Sequence, residues 1–375
     1  MPFQIFGASG TMPSQFLPPP SCPFSGLRVV HAANYQFAKD GLVFFNPDHK
    51  LHQGLVQNGC YVYPFSINDR ARMLSPTGSK TFGKGRANRA LIETCVNVHP
   101  DVLMLGHAQY IQKETLAEIR NRVPDIRIGL WYFDAMWVPK NIEHLHKRCE
   151  VMDAVFATTG GDLLRSVATP SCPSAFIPNP VDGSIERFRA FENSQPEYDV
   201  VFFGCDKRAP ERKQFLKDLI QTASDVRIGI FGSLGNPYSF GHDKELILAS
   251  SRMALNLNRK NDVELYSSDR IAQLTGNGLV TLTPAGAGLE SLYSPEEVVY
   301  FESVEDLAEK VRYFKNHEDK AIRIAKAGWE KTHRDYSATN VAAFILGVTL
   351  RDESYHNASW SEHVYWNAEP AKLAG

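Results

Sequence analysis

The chain has 375 residues, 43% of them hydrophobic, with 40 Lys and Arg against 42 Asp and Glu and a net charge of −2. That length favours two domains over one. The charge balance gives no global field for nucleic acid, so an anionic ligand has to be held by local groups. Six cysteines stand far apart with no Cys-x-x-Cys and no His/Cys cluster, which argues against a zinc site or a disulfide frame and fits a reducing, cytoplasmic setting.

Residues 1–26 are apolar but broken by Pro and Gly, with no basic start, and read as an irregular leader rather than a secretory signal. No uninterrupted apolar run reaches the ~18 residues of a membrane-spanning helix, so no helix is expected to span a membrane, and peripheral contact stays open. LRVVHAAN (27–34) is a short apolar run ending in small polar residues, the pattern of a buried parallel strand. A helix over 48–58, a strand CYVYPF and a helix NRALIETCVNV stopping at Pro100 follow. DVLMLGHA is a strand ending at His107, and IRIGLWYFDAMW another ending near Asp134, with a helix ETLAEIRNRV between them. Helices IEHLHKRCEVM and GDLLRSVA flank a strand AVFATT, and AFIPNPVD leaves through two prolines. This alternation predicts a doubly wound parallel sheet over 27–180.

Residues 181–198 are rich in turn formers and charge and read as a linker. The alternation restarts with YDVVFFG, ending at Gly204, then a helix from Ala209, a strand VRIGIFG ending at Gly232, a helix KELILASS and a strand MALNLN. A helix opening on Ser267, Ser268 and Arg270 is expected next, then strands LVTLT and VVYFES and an amphipathic helix Val304–Asn316 with Leu307, Val311 and Phe314 on one face. This second α/β unit covers 199–340. A helix ATNVAAFILGVTL and a polar, aromatic tail (341–375) close the chain. Two such domains joined by one linker make a cleft, and open α/β sheets bind ligands at the carboxyl ends of their strands.

The stretch Ala254–Tyr336 resembles the C-terminal domain of group 1 glycosyltransferases of GT-B fold, in the branch related to the spore-maturation protein CgeB. The residues that carry the likeness are Asn258, Ser268-Asp269-Arg270, Gly276-Asn277-Gly278, Thr281 or Thr283, Gly288-Leu289-Glu290 and the run Glu296–Phe314, with YDVVFFG and Arg212 as the domain opening. The resemblance implies a metal-independent transferase without a bound cofactor. It would move a sugar from a UDP- or GDP-type nucleotide sugar to a glycan, lipid-linked or protein acceptor, in bacterial surface-glycan synthesis. Where such enzymes often carry a ribose-binding Glu, this chain has Gln273, and the partner Glu eight residues earlier is Leu265. An amide still hydrogen-bonds a hydroxyl but without charge assistance.

Ser267 and Ser268 are placed to cap the expected helix and leave its N–H groups to an anion. Arg270, a cation in a first turn that favours acids, makes sense with an anion between; a surface pair with Asp269 or Glu264 is the plain alternative. Lys207 and Arg208 suit a second phosphate contact or a solvated cluster. Gly204 and Gly232 allow close backbone approach or simply a turn. Ser233, Asn258, Gly286, Gly288 and Glu290 complete the candidate donor set, each with an ordinary cap or turn role as its alternative. In the first domain His107, Asp134 and Asp40 are candidate bases for the acceptor hydroxyl. Trp131, Tyr132 and Trp137 are candidates for stacking on sugar, or core. Two other classes compete: a non-catalytic binding or assembly protein on the same fold, and an NAD enzyme, disfavoured because no GxGxxG follows the first strand.

Overall fold

The computed structural model of the chain describes residues 23–106, 110–207 and 209–366. The first domain contains β1 (Arg28–Ala33), α1 (Pro47–Gln57), β2 (Tyr61–Ser66), α2 (Ile67–Met73), α3 (Lys80–Val98), β3 (Val102–Gly106), α4 (Lys113–Arg122), β4 (Arg127–Tyr132), α5 (Pro139–Cys149), β5 (Ala154–Ala157), α6 (Gly161–Arg165) and β6 (Ser174–Phe176). The second contains β7 (Tyr198–Phe203), α7 (Pro210–Thr222), β8 (Ile228–Phe231), α8 (Gly241–Ala249), β9 (Ser251–Leu255), α9 (Arg270–Gly276), β10 (Val280–Pro284), β11 (Val299–Phe301), α10 (Val304–Asn316) and α11 (Glu318–Asp335). α12 (Ala338–Leu350) and β12 (Val364–Tyr365) end the described chain.

The sheet orders are β12-β6-β5-β4-β3-β1-β2 and β11-β10-β9-β7-β8. All pairings are parallel except β12 against β6. Both sheets reverse direction beside their first strand, and at such switch points the strand ends open into a crevice. The central strands carry no alternation because both faces are covered: Val29 to Ala33 of β1 and all of β3 are buried.

The C-terminal segment does not form a separate tail. α12 is apolar on nearly every side and packs on α1 beneath β4 and β5, while β12 extends the first sheet. Gly54 makes the α1–α12 contact: a Cβ there would meet the Ala338 carbonyl oxygen at 2.0 Å. The outgoing and returning crossings between the domains lie side by side. Val181 N–H donates to Tyr336 O at 2.9 Å, and Ala338 N–H donates to Val181 O at 2.7 Å. Among the described residues no helix is long and apolar enough to cross a membrane.

Candidate functional site

The loops at the carboxyl ends of the two sheets meet. The Gly160 N–H donates to Glu264 O at 3.0 Å. The rings of Trp137 and Tyr266 contact edge to face at 4.7 Å, and the Lys244 ammonium lies 4.3 Å over Phe45. Gly160 lets the loops come close, since a Cβ would stand 2.6 Å from Leu265 Cδ1 and the leucine would have to shift.

On the second domain's side of this junction sit two guanidinium groups that form no ion pair among the described residues. Arg270 Nε donates to Phe203 O at 2.7 Å, and its Nη1 donates to Leu257 O at 3.1 Å and to Ser268 Oγ at 3.0 Å. Arg212, in the first turn of α7, donates from Nη1 to Cys205 O at 2.8 Å, and its Nε is buried with no partner. The two guanidinium carbons lie 5.1 and 5.8 Å from the centroid of the Phe202 ring. Burial and the neighbouring Arg212 push Arg270 down to about 9, and burial and Arg259 lower Arg212. Neither Arg212, Arg259 nor Arg270 forms an ion pair among the described residues. Like cations held together on neutral carbonyls make a site of unbalanced positive charge, the arrangement that takes a phosphate or diphosphate. Gly204 gives access: a Cβ there would stand 3.1 Å from Arg270 Nη2 and 2.6 Å from Phe202 Cζ.

Several expected contacts are reassigned by this geometry. Neither Ser267 nor Ser268 caps α9, which begins at Arg270 and is only seven residues long. Ser267 is buried and bonded to Asn256 and the Ser268 carbonyl; Ser268 instead orients Arg270. Asn258 Oδ1 accepts the Ser268 N–H at 3.0 Å and so shapes the loop. Ser233 donates its hydroxyl to Gly204 O at 2.6 Å, tying two turns together. Gly232, at φ 81°, packs its α-carbon against Tyr238.

Gln273 is not turned to a ribose. Its amide donates to Asp269 and accepts from the Lys244 ammonium. Asp269 in turn reaches Lys50 of α1 at 3.2 Å, and Lys50 also pairs with Glu186 of the linker at 2.6 Å. Lys50 and Glu186 are fully buried. Burial holds Glu186 up at about 7 and Lys244 down at about 7. Position 273 therefore belongs to a polar chain that links both domains and the linker.

Asp134 is half-buried, bonds the Tyr132 hydroxyl, and lies close enough to Tyr266 to act on its titration. Asp40 sits exposed in the β1–α1 loop at φ 48°. Trp131 is core, its indole N–H donating to Asp48 at 2.8 Å, whereas Trp137 faces the junction. Lys207 and Glu290 are exposed, and Gly286 and Gly288 turn beside the Leu265 loop through the Leu265 N–H to Ala287 O bond. His107 and Arg208 lie outside the described residues. Arg212 and Tyr266 were not singled out as ligand contacts from the sequence. For Arg212 the signal was there: a cation in a first turn, the same anomaly as Arg270. No group of His, Cys, Asp and Glu among the described residues is arranged to hold a metal.

Residues 208–347 match the model of a family described as glycosyl transferase-like. No curated protein matches the chain by sequence. Among solved structures the chain is similar to the sucrose-phosphate synthase of Thermosynechococcus elongatus, with a TM-score of 0.58 at 11% identity over 89% of this chain and 100% of that one. It is also similar to Anabaena HepE in complex with UDP and glucose, TM-score 0.53 at 10% identity, covering 84% and 97%. T4 phage β-glucosyltransferase gives 0.51 at 11%, covering 86% and 98%. These likenesses establish the fold: two Rossmann-like sheets in the GT-B arrangement.

Proposed function

We propose that the chain is a glycosyltransferase whose second domain holds a UDP- or GDP-type nucleotide sugar and whose first domain presents a glycan, lipid-linked or protein hydroxyl. The family match over 208–347 and the fold support the class. One observation carries the site: Arg212 and Arg270 gathered about Phe202 with no ion pair among the described residues. As the bond to the sugar breaks, negative charge builds on the leaving diphosphate. Guanidinium groups already fixed by backbone carbonyls stabilise that charge without reorganising. In this reading they supply the neutralisation that a divalent cation supplies elsewhere. In this reading Asp134, beside Tyr132 at the junction, takes the acceptor proton.

A second reading, a binding protein of the same fold without turnover, is favoured by Gln273, whose two amide ends are committed within the protein. Incubation with UDP- and GDP-sugars, following release of the nucleoside diphosphate, separates the two. The similar HepE structure contains UDP, which makes UDP the first base to test. Arg270→Ala should weaken UDP binding by about 1.5–3 kcal/mol, the range for hydrogen bonds to charged groups. Unchanged affinity by calorimetry would remove the phosphate role.

A further inference from the structure

We propose that the α2–α3 hairpin, with the adjoining flank of α5, is a docking surface for an anionic lipid bilayer. Residues 67–89 carry six basic side chains, Arg70, Arg72, Lys80, Lys84, Arg86 and Arg89, against the single acid Asp69, in a chain that is otherwise slightly acidic. Asp69, whose Oδ2 accepts the Phe37 N–H at 2.8 Å and the Ser66 hydroxyl at 2.5 Å, offsets only one of the six, so the segment keeps a clear excess of positive charge. Arg72, Lys84 and Arg89 form no ion pair among the described residues.

Charge is half of the pattern. Phe82 and Met73, 73% and 72% exposed, stand out on the same hairpin and are the two most exposed large apolar side chains among the described residues. The hairpin is built to hold them out. Gly83 lets the helices touch, since a Cβ there would lie 1.7 Å from Ala71 O, and Arg86 Nη1 ties back to Leu74 O at 2.8 Å. Beside it a cavity of about 400 Å³ is lined by Lys84, Lys113, His144, Lys147 and Arg148 together with the single acid Glu114. Lys113 and Lys147 hold Glu150 and Glu143 at its rim, while Lys84 has no acid. Cations that flank protruding apolar side chains fit the interface of an anionic membrane, with the apolar groups at the acyl boundary and the cations at the headgroups. A nucleic acid would use the charge but leave Phe82 and Met73 without an apolar phase. The hairpin follows β2, the edge strand, at the end where the cleft opens, so docking would bring the cleft to the headgroup layer. This inference needs no donor to be bound.

Flotation of the full chain with vesicles tests it. Phosphatidylglycerol–phosphatidylcholine vesicles should bind the protein and phosphatidylcholine vesicles should not, with binding weakened by salt. Each removed cation should lower partitioning about fivefold, so Lys84→Glu and Arg89→Glu should each lower it about 25-fold. The double variant Phe82→Ser, Met73→Ser should lower it even at high salt. Met73, Phe82 and Arg89 are exposed and Lys84 is half-buried, and an unchanged thermal midpoint of each variant confirms folding. Equal binding to both vesicle types, insensitivity to these substitutions, or tighter binding to a soluble polyanion such as heparin would each overturn the proposal. A failed flotation with UDP binding intact would leave the transferase reading standing.

Discussion

Lys50 is where a single substitution should report on the contact between the domains. Its ammonium is fully buried, 2.6 Å from Glu186 and 3.2 Å from Asp269. Lys50→Met leaves two carboxylates inside the protein with their nearest cation gone, and removing one partner of a buried pair costs about 3–5 kcal/mol. The loss should depend on pH, because Glu186 already titrates at about 7 while Lys50 holds it down. Without Lys50 its pKa rises further, so at pH 5.5 the carboxyl is neutral and most of the penalty disappears. At pH 8.5 the unfolded carboxyl is fully ionised, so burying it costs free energy whether it stays charged or takes up a proton, and the cost returns. Denaturant unfolding at the two pH values measures this directly. The double variant Lys50→Met, Glu186→Gln should recover stability at pH 8.5, giving a coupling well above the few tenths of a kcal/mol found between independent sites. An equal loss at both pH values, or no recovery in the double variant, would refute the reasoning.

Four further outcomes are expected. Glu186→Gln should change the pH profile in a defined window: a carboxyl raised from 4.5 to about 7 contributes stability below 4.5 that is lost as pH rises to about 7. The difference in thermal midpoint between wild type and variant should therefore slope only there. Lys244, lowered from 10.5 to about 7, acts in the opposite sense, losing stability as pH falls from 10.5, so the slope of a Lys244→Met difference curve should lie between pH 7 and 10.5. Gln273→Glu should not tighten nucleotide binding in calorimetry, because the new carboxylate would meet Asp269 rather than a ribose. Gly54→Val should destabilise by at least the ~1–3 kcal/mol of overpacking, since a Cβ already collides with the Ala338 backbone; an unchanged midpoint would show that α12 can move off α1.

The α/β rhythm was legible because buried parallel strands are short apolar runs and their ends carry the small polar residues. α10 and α12 were legible to the residue, the first by its stripe of Leu307, Val311 and Phe314 and the second by its apolar run after Ser337, which accepts the Asn340 N–H. α11 was not assigned, for its buried face is Ala321, Ala325, Gly328 and Thr332, and small residues leave a weak periodic signal. Gly328 is buried because the Glu297 backbone lies against it. That α12 returns to the first domain was invisible, since an all-apolar helix names no partner. At the site, Arg270 stood out from its place in a first turn. The roles of Ser267, Asn258, Ser233 and Gln273 did not, because a polar side chain that fixes a loop has the same spelling as one that meets a ligand. What separates them is where the hydrogen-bond partners sit, and those come from residues tens of positions away, such as Phe203 for Arg270 and Lys244 for Gln273.

The paired crossings at Val181 and Ser337 make the second domain an insert within the first. Its two ends are hydrogen-bonded neighbours, as expected of a unit that can be lifted out of one scaffold and set into another. Lifting out 182–336 would take Glu186 and Asp269 away from Lys50, so a freestanding insert needs that buried pairing replaced, whereas cutting only at 337 would strip β12 and the α12 floor from the half that lies before the insert. The molecule's two halves are therefore unequal in continuity: one is a single unbroken stretch, and the other exists only if the chain comes back to finish it.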